Sequence, residues 1–236
     1  MDYISLPDEQ TRPLSFYLAM EEYVAEVYGS GFFVWQVDPT VIIGRNQDLE
    51  TEVNLPFCSE HAVRVVRRKS GGGCVYADKG NLMVSFITPE RGVDSVFPAF
   101  MRRLSAVLQS LGANAFVSGH NDVLVGGRKV SGSAFFVHPS SSIVHCTLMH
   151  SVDLDMLQSA ITPPAAKLAR HSVQSVRQRV ANLTEFLPKL ETGALKDALR
   201  AAFCSGERPL SAAELEAIEE LEKSYDDPSF ILGKAA

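Results

Sequence analysis

Gly126-Gly127 separates two strand-forming runs, "DVLV" before it and "KVSGSAFFV" after it, and a two-glycine turn joins such runs as an antiparallel hairpin. The same short-turn economy extends in both directions. "FFVWQV" and "TVIIG" flank Asp38-Pro39, a second expected hairpin turn, and "AVRVVR", "CVY" and "NLMVSFIT" follow. "AFVS" precedes the central hairpin and "SIVHCTLMH" succeeds it. Helical patterns lie outside and between these runs. Ser15 is expected to cap a first helix reaching Tyr28 and ended by Gly29 and Gly31, and a second helix is expected over Val96 to Leu111, stopped by Gly112. From Asp153 onward the pattern reads as helical and ends in a capping-box spelling, Ser211-Ala212-Ala213-Glu214. Strands paired by short turns, with helices gathered at the ends, indicate an α+β fold.

At 236 residues and 46% hydrophobic, the chain has material for one sizeable core and a small appendage. A net charge of −6 argues against a general affinity for nucleic acid. Cys58, Cys74, Cys146 and Cys204 show no C-x-x-C spacing, which disfavours a zinc knuckle or a redox pair. The first residues lack a basic n-region and an apolar h-region, and no apolar run approaches the roughly 20 residues of a membrane span. A cytoplasmic, reduced, soluble protein without a membrane partner is the expectation.

On this acidic background one basic cluster stands out: Arg64, Arg67, Arg68 and Lys69, leading into Ser70, Gly71, Gly72 and Gly73. Three glycines in a row are costly to order. Either they make a plain turn, or their backbone lies against a ligand with cations ready for an anion. The spacing matches neither a P-loop nor a dinucleotide fingerprint. A second cluster places Asn121 and Asp122 at the head of one strand and Lys129 just past the glycine turn. Alone, Lys129 reads as a solvated lysine at a hairpin tip; with its neighbours it suggests a pocket holding a cation, a carboxylate and an amide. Ser131-Gly132-Ser133 interrupts the next strand with small residues, a sign of close approach by a ligand or another backbone. The third cluster, His145-Cys146-Thr147, lies on an apolar strand, where a histidine is ordinarily part of the core and a cysteine a small buried hydrophobe. Glu21 falls on the apolar stripe of the first helix, so it either meets an arginine from elsewhere or reaches solvent at the stripe's edge.

Five long stretches, "TVIIGRNQ", "RRKSGGGCVYADKGN", "GHNDVLVGGRKVSGSAF", "HCTLMHSVDL" and "SVRQRVANLTEFLP", together resemble the catalytic domain of lipoate–protein ligase A in the biotin/lipoate protein ligase family. The resemblance runs in order from about residue 14 to 190 and implies mixed, largely antiparallel sheets flanked by helices, of the class II synthetase kind. It implies a reaction in which lipoate and ATP, with Mg2+, give lipoyl-adenylate, and a lysine of an acceptor then takes the acyl group. The acceptors implied are lipoyl domains of 2-oxoacid dehydrogenase complexes or the glycine cleavage H protein. Residue by residue, Lys129 matches the family's catalytic lysine, while Arg68, Ser70, Gly71, Gly72, Gly73 and His145 match acyl- and phosphate-lining positions. Asn81, Asp122, Lys129, Ser131 and Ala134 match the nucleotide side, with Asp122 facing the metal.

Ala77-Asp78 departs from the family's His-Asp, and Cys146 stands where a glycine is common. Residues 1–236 read as a single catalytic domain without the small accessory domain of two-domain relatives, so activation of free lipoate is expected to be slow unless a separate accessory chain is added. Two rivals remain. A carrier-to-carrier octanoyl or lipoyl transferase would place a cysteine in the loop that here reads "FVSGHND". A non-catalytic lipoate sensor is the other.

Overall fold

The computed structural model describes residues 1–119, 121–162 and 176–233. Part of the helical expectation beyond Asp153, and Ser175 of the last matching stretch, lie outside them.

Eight strands form one sheet in the order β11-β1-β2-β6-β10-β9-β8-β7. They are β1 (Asp2–Ser5), β2 (Gly31–Trp35), β6 (Asn81–Thr88), β7 (Ala115–Ser118), β8 (Asp122–Val125), β9 (Arg128–Val137), β10 (Ser142–Met149) and β11 (Gly206–Pro209). β3 (Thr40–Ile43), β4 (Arg64–Arg67) and β5 (Val75–Ala77) make a second sheet, ordered β4-β3-β5. Pairing is antiparallel except for β1 with β2 and β11, and β3 with β4. The fold is mixed α+β, as expected.

β6 and β10 are apolar almost throughout because both faces of the large sheet are covered. Leu82 and Val84 pack with Phe100 and Leu104 of α4 (Val93–Ser110) and with Leu195 and Leu199 of the helix Thr192–Phe203. Met83 and Ile87 face the other way, onto α1 (Leu14–Tyr23) and Ile218 of the helix Ala212–Glu222. A third cluster joins the small sheet to α2 (Leu49–Glu52), α3 (Leu55–Glu60) and α5 (Leu154–Ala160).

The glycine turn and the capping box form as read. Gly126 and Gly127 both take positive φ, 57° and 76°, and Ser211 and Glu214 cap each other reciprocally. Other expectations are corrected. Asp38-Pro39 does not close a hairpin: β2 and β3 part into different sheets. Pro13 occupies the N-cap of α1, and Ser15, two residues further on in the first turn, donates instead to Glu222 Oε1 at 2.6 Å. The helix turns π-like over Val24–Tyr28 before Gly29 ends it in the left-handed region. α4 begins at Val93, three residues early, and α2 and α3 fill a stretch read as strand-rich. The C-terminal third is not all helix, since β11 runs parallel to β1.

Candidate active site

A cleft of about 800 Å³ lies between the two sheets, and strand order sets its contents. Trp35 (β2), Met83 (β6), His145 (β10), Gly132 (β9) and Asp122 (β8) line it from five adjacent strands. Four spacings of about 4.8 Å give a floor roughly 19 Å wide. Leu14, Leu18 and Ile42 join Trp35 and Met83 to make one end apolar.

The other end is ionic. Lys129 Nζ lies 2.7 Å from Asp122 Oδ1, and Arg179 Nη2 lies 2.7 Å from Asp122 Oδ2. Two cations on one carboxylate leave the group net positive. A bulge aims the lysine. Opposite Val123 stands Ser131, but opposite the next residue, Leu124, stands Lys129, so Val130 is extra. In a regular strand Lys129 and Gly132, three apart, would face opposite sides; the extra residue brings them together. A Cβ at Gly132 would sit 2.5 Å from Lys129 Nζ. The small-residue interruption in β9 therefore admits a lysine side chain of the same strand.

The basic cluster divides. Arg68 alone lines the cleft; Arg64 is exposed, and Arg67 and Lys69 turn to the opposite side. The Arg68 guanidinium, 5% exposed, spans the glycine loop, with Nη2 donating to Gly71 O at 2.7 Å and Gly73 O at 2.8 Å, and Nη1 to Ile42 O at 3.3 Å. Burial lowers its pKa to about 10, opposed by the charges of Cys74 and Glu21. Arg68 is thus first a clamp that shapes the loop. Among the described residues, no hydrogen bond engages the backbone N–H of Gly71, Gly72 or Gly73.

Glu21 meets neither an arginine nor solvent. It is 3% exposed and begins a buried relay. Trp35 Nε1 donates to Ser85 Oγ at 2.9 Å, and Ser85 Oγ donates to Glu21 Oε1 at 2.5 Å. Glu21 Oε2 lies 2.9 Å from His145 Nδ1, and His145 Nε2 lies 2.8 Å from Ser70 Oγ, which accepts from Arg68 Nε at 3.0 Å. In a neutral ring the carboxylate fixes the proton on Nδ1, leaving Nε2 to accept from Ser70. Every member is then satisfied, which suits a rigid wall.

The remaining expected residues fall as follows. Asn81, 1% exposed, lines the cleft and donates to Tyr76 O at 3.1 Å, while its buried Oδ1 has no partner. Gly72, Gly73 and Ala134 line the cleft. Ser70 and Gly71 stand behind the lining, bonded to Arg68. Ser131, fully buried, lies beneath it against Cys146. Sequence reading gave no role to Trp35 or Arg179; the position of Arg179 within "SVRQRVANL", one of the stretches carrying the resemblance, was the signal available.

Residues 13–204 match the lipoyl protein ligase A/B catalytic domain. The chain belongs to that family. It is 43% identical over 174 residues to lipoate–protein ligase 1 of Staphylococcus aureus and 41% identical over 177 residues to lipoate-protein ligase LplJ of Bacillus subtilis. Each alignment covers 72% of this chain and 53% of the relative, so the chain spans about half the length of these relatives. Among solved structures, a bi-partite lipoate protein ligase of Thermoplasma acidophilum, studied with its E2 lipoyl domain, superposes with a TM-score of 0.87 at 25% identity, covering 100% of this chain and 97% of that one. A T. acidophilum protein with bound lipoic acid gives 0.84 at 25% identity, with 99% of each chain covered.

The rival reading as a carrier-to-carrier transferase brings the cysteines into question. Burial pushes the Cys146 thiol up to about 12 and the Cys204 thiol to about 11, the opposite of what a nucleophile needs. Cys74 lines the cleft from the glycine loop. We expect Cys74→Ser and Cys146→Ala each to keep acceptor labelling within a few-fold of the parent. Loss of labelling in either one, with an acyl-enzyme adduct in the parent's intact mass, would establish a thioester route.

Proposed function

We propose that the chain is the catalytic domain of an ATP-dependent lipoate–protein ligase. The observation that carries this reading is the two-ended cleft: an apolar slot leads directly to a cation group and to a loop of unengaged backbone N–H donors. A medium-chain carboxylic acid with an anionic head fits it, and an acyl-adenylate fits it better, since its phosphate adds charge where the donors are.

In the first step a carboxylate oxygen of lipoate attacks the α-phosphorus of ATP, the bond to pyrophosphate breaks, and lipoyl-adenylate forms. In the second, the ε-amine of an acceptor lysine attacks the acyl carbon and AMP leaves. Lys129 would counter the charge that develops on the phosphate and on the carbonyl oxygen, with Asp122 and Arg179 holding it in place. Gly72 and Gly73 would offer backbone donors, and Asn81 Oδ1 an acceptor toward the nucleotide. Magnesium enters only as an ion carried by the nucleotide phosphates. Both Asp122 oxygens already face cations at 2.7 Å, so Asp122 as placed does not fit a protein-held ion.

The acceptors we propose are lipoyl domains, of 2-oxoacid dehydrogenases or of the H-protein kind, in the cytoplasm. No helix among the described residues is long and apolar enough to cross a membrane. The test is mass spectrometry of a lipoyl domain incubated with this protein, ATP, magnesium and lipoate, beside a second arm supplied with synthetic lipoyl-adenylate. A lipoyl mass on the acceptor lysine in both arms is expected. Binding of lipoate with no acceptor mass in either arm would make the chain a sensor.

A further inference from the structure

The side of the glycine loop away from the cleft is built as deliberately as the side that lines it. Arg67 is 2% exposed and makes no ion pair among the described residues. Its Nε donates to Ile231 O at 2.9 Å, and its Nη1 to Gly44 O at 2.9 Å, Arg45 O at 3.2 Å and Gln47 O at 2.8 Å. A buried guanidinium held by main-chain carbonyls at Nε and Nη1, with its buried Nη2 unpartnered, is expensive, and its planar fork cross-links those carbonyls in a geometry no lysine can copy. The segments joined are β4, the loop of residues 44–47, and the short C-terminal helix Pro228–Ile231. The middle one touches the glycine loop directly. Arg45 N donates to Ser70 O at 3.0 Å, and a Cβ at Gly44 would stand 2.3 Å from Gly72 O.

A second tether runs beside the first. Lys69 Nζ contacts both Glu22 oxygens, at 2.8 and 2.9 Å, and lies 4.8 Å over the Tyr225 ring. The Tyr225 hydroxyl donates to Glu22, and its ring packs edge-on against Phe230 at 5.7 Å. In the run Arg67-Arg68-Lys69-Ser70, alternate residues thus face opposite ways: Arg68 and Ser70 toward His145, Arg67 and Lys69 toward the C-terminal segment. The tail residue Phe230 packs on the chain's own core, while Leu232 is 47% exposed.

We propose that residues 222–231 are a positioning element for the glycine loop, acting through the Arg67 guanidinium and the Lys69–Glu22–Tyr225 contact. Arg67 is then a positioning residue for the adenylation site, without touching substrate. This inference rests on the proposed ligase reading for its rate effects, but not for its structural ones.

The experiment compares Arg67→Lys and Tyr225→Phe with Leu221→Ala, a change at a 41% exposed position on the same C-terminal region. Three quantities are measured on the full chain: melting temperature, the amide order parameter of Gly72, and kcat/KM for lipoate activation. Arg67→Lys keeps the charge and loses the fork. We expect the Gly72 order parameter to fall from about 0.85 to below about 0.6 and kcat/KM to drop by about tenfold to a hundredfold, with a lower melting temperature, since buried carbonyls lose donors, but with the fold retained at the assay temperature. Tyr225→Phe removes one hydrogen bond and should cost about fivefold; Leu221→Ala should change nothing. Unchanged loop order and unchanged rate in Arg67→Lys overturn the proposal. Should Arg67→Lys fail to fold, Tyr225→Phe decides on the same readings, parent-like order and rate overturning it. A parent that shows no activation refutes the ligase reading instead, and the Gly72 order parameter alone then decides this one.

Discussion

Lys129→Ala is expected to lower adenylate formation by about 10²-fold or more while leaving the fold intact. The fold should survive because the main-chain bond of Lys129 and the second cation on Asp122 both remain. Lys129 meets the chain's architecture through its backbone, whose carbonyl accepts from Ala181 N at 2.9 Å, and that bond remains. Asp122, left by the lysine, keeps Arg179 at 2.7 Å, so no carboxylate is buried without a cation. Catalysis loses the one group that the β9 bulge and Gly132 conspire to place over the cleft floor. Arginine should not rescue it, since a planar, delocalised guanidinium cannot place a compact point charge where the ammonium sits beside Gly132. The check is pyrophosphate release beside a melting curve. A variant that melts like the parent and releases pyrophosphate at a near-normal rate would remove Lys129 from the mechanism.

What the sequence made legible were features set by local chemistry. The Gly126-Gly127 turn, the Ser211 capping box and the apolar runs of β6 and β10 each announce themselves within a few residues. Features decided by long-range partners did not. Asp38-Pro39 has the spelling of a hairpin turn, yet β2 and β3 find better partners in β6 and β4, a choice invisible at the turn. "GERP" has no strand character; it becomes β11 only because β1 offers an edge. Glu21 was correctly marked as a carboxylate on a buried face. Its partner is a histidine 124 residues away, and no pattern in α1 specifies that. The basic cluster illustrates the same limit. Four adjacent cations looked like one anion site, but backbone alternation sends Arg67 and Lys69 to the far side, where carbonyls and Glu22 absorb them. The triple glycine raised two possibilities, turn or backbone approach, and the geometry now separates its members.

That separation makes the second large prediction specific. Gly72 has φ +95°, a conformation a β-branched residue resists, and its Cβ would lie 2.9 Å from Arg68 Nη2. That nitrogen bonds the carbonyls on either side of it, Gly71 O and Gly73 O. A valine at 72 must therefore push the guanidinium off both and open the loop. Gly72 is exposed and buries no core, so the stability cost is confined to backbone strain, on the order of 1–3 kcal/mol. Binding should suffer far more, because the donors of the loop and the clamp that shapes it move together; a displacement of about 1 Å is enough for roughly 10²-fold. Gly71 supplies the contrast. An added Cβ there meets nothing within 4 Å, and its φ is not in the left-handed region, so Gly71→Ala should fold normally and bind within a few-fold of the parent. Calorimetry with a non-hydrolysable lipoyl-adenylate analogue reads both. If Gly72→Val binds as the parent does, the glycines form a turn and nothing more. If Gly71→Ala is as damaging as Gly72→Val, the ligand lies against Gly71 itself, and the Arg68 clamp is not what separates the two positions.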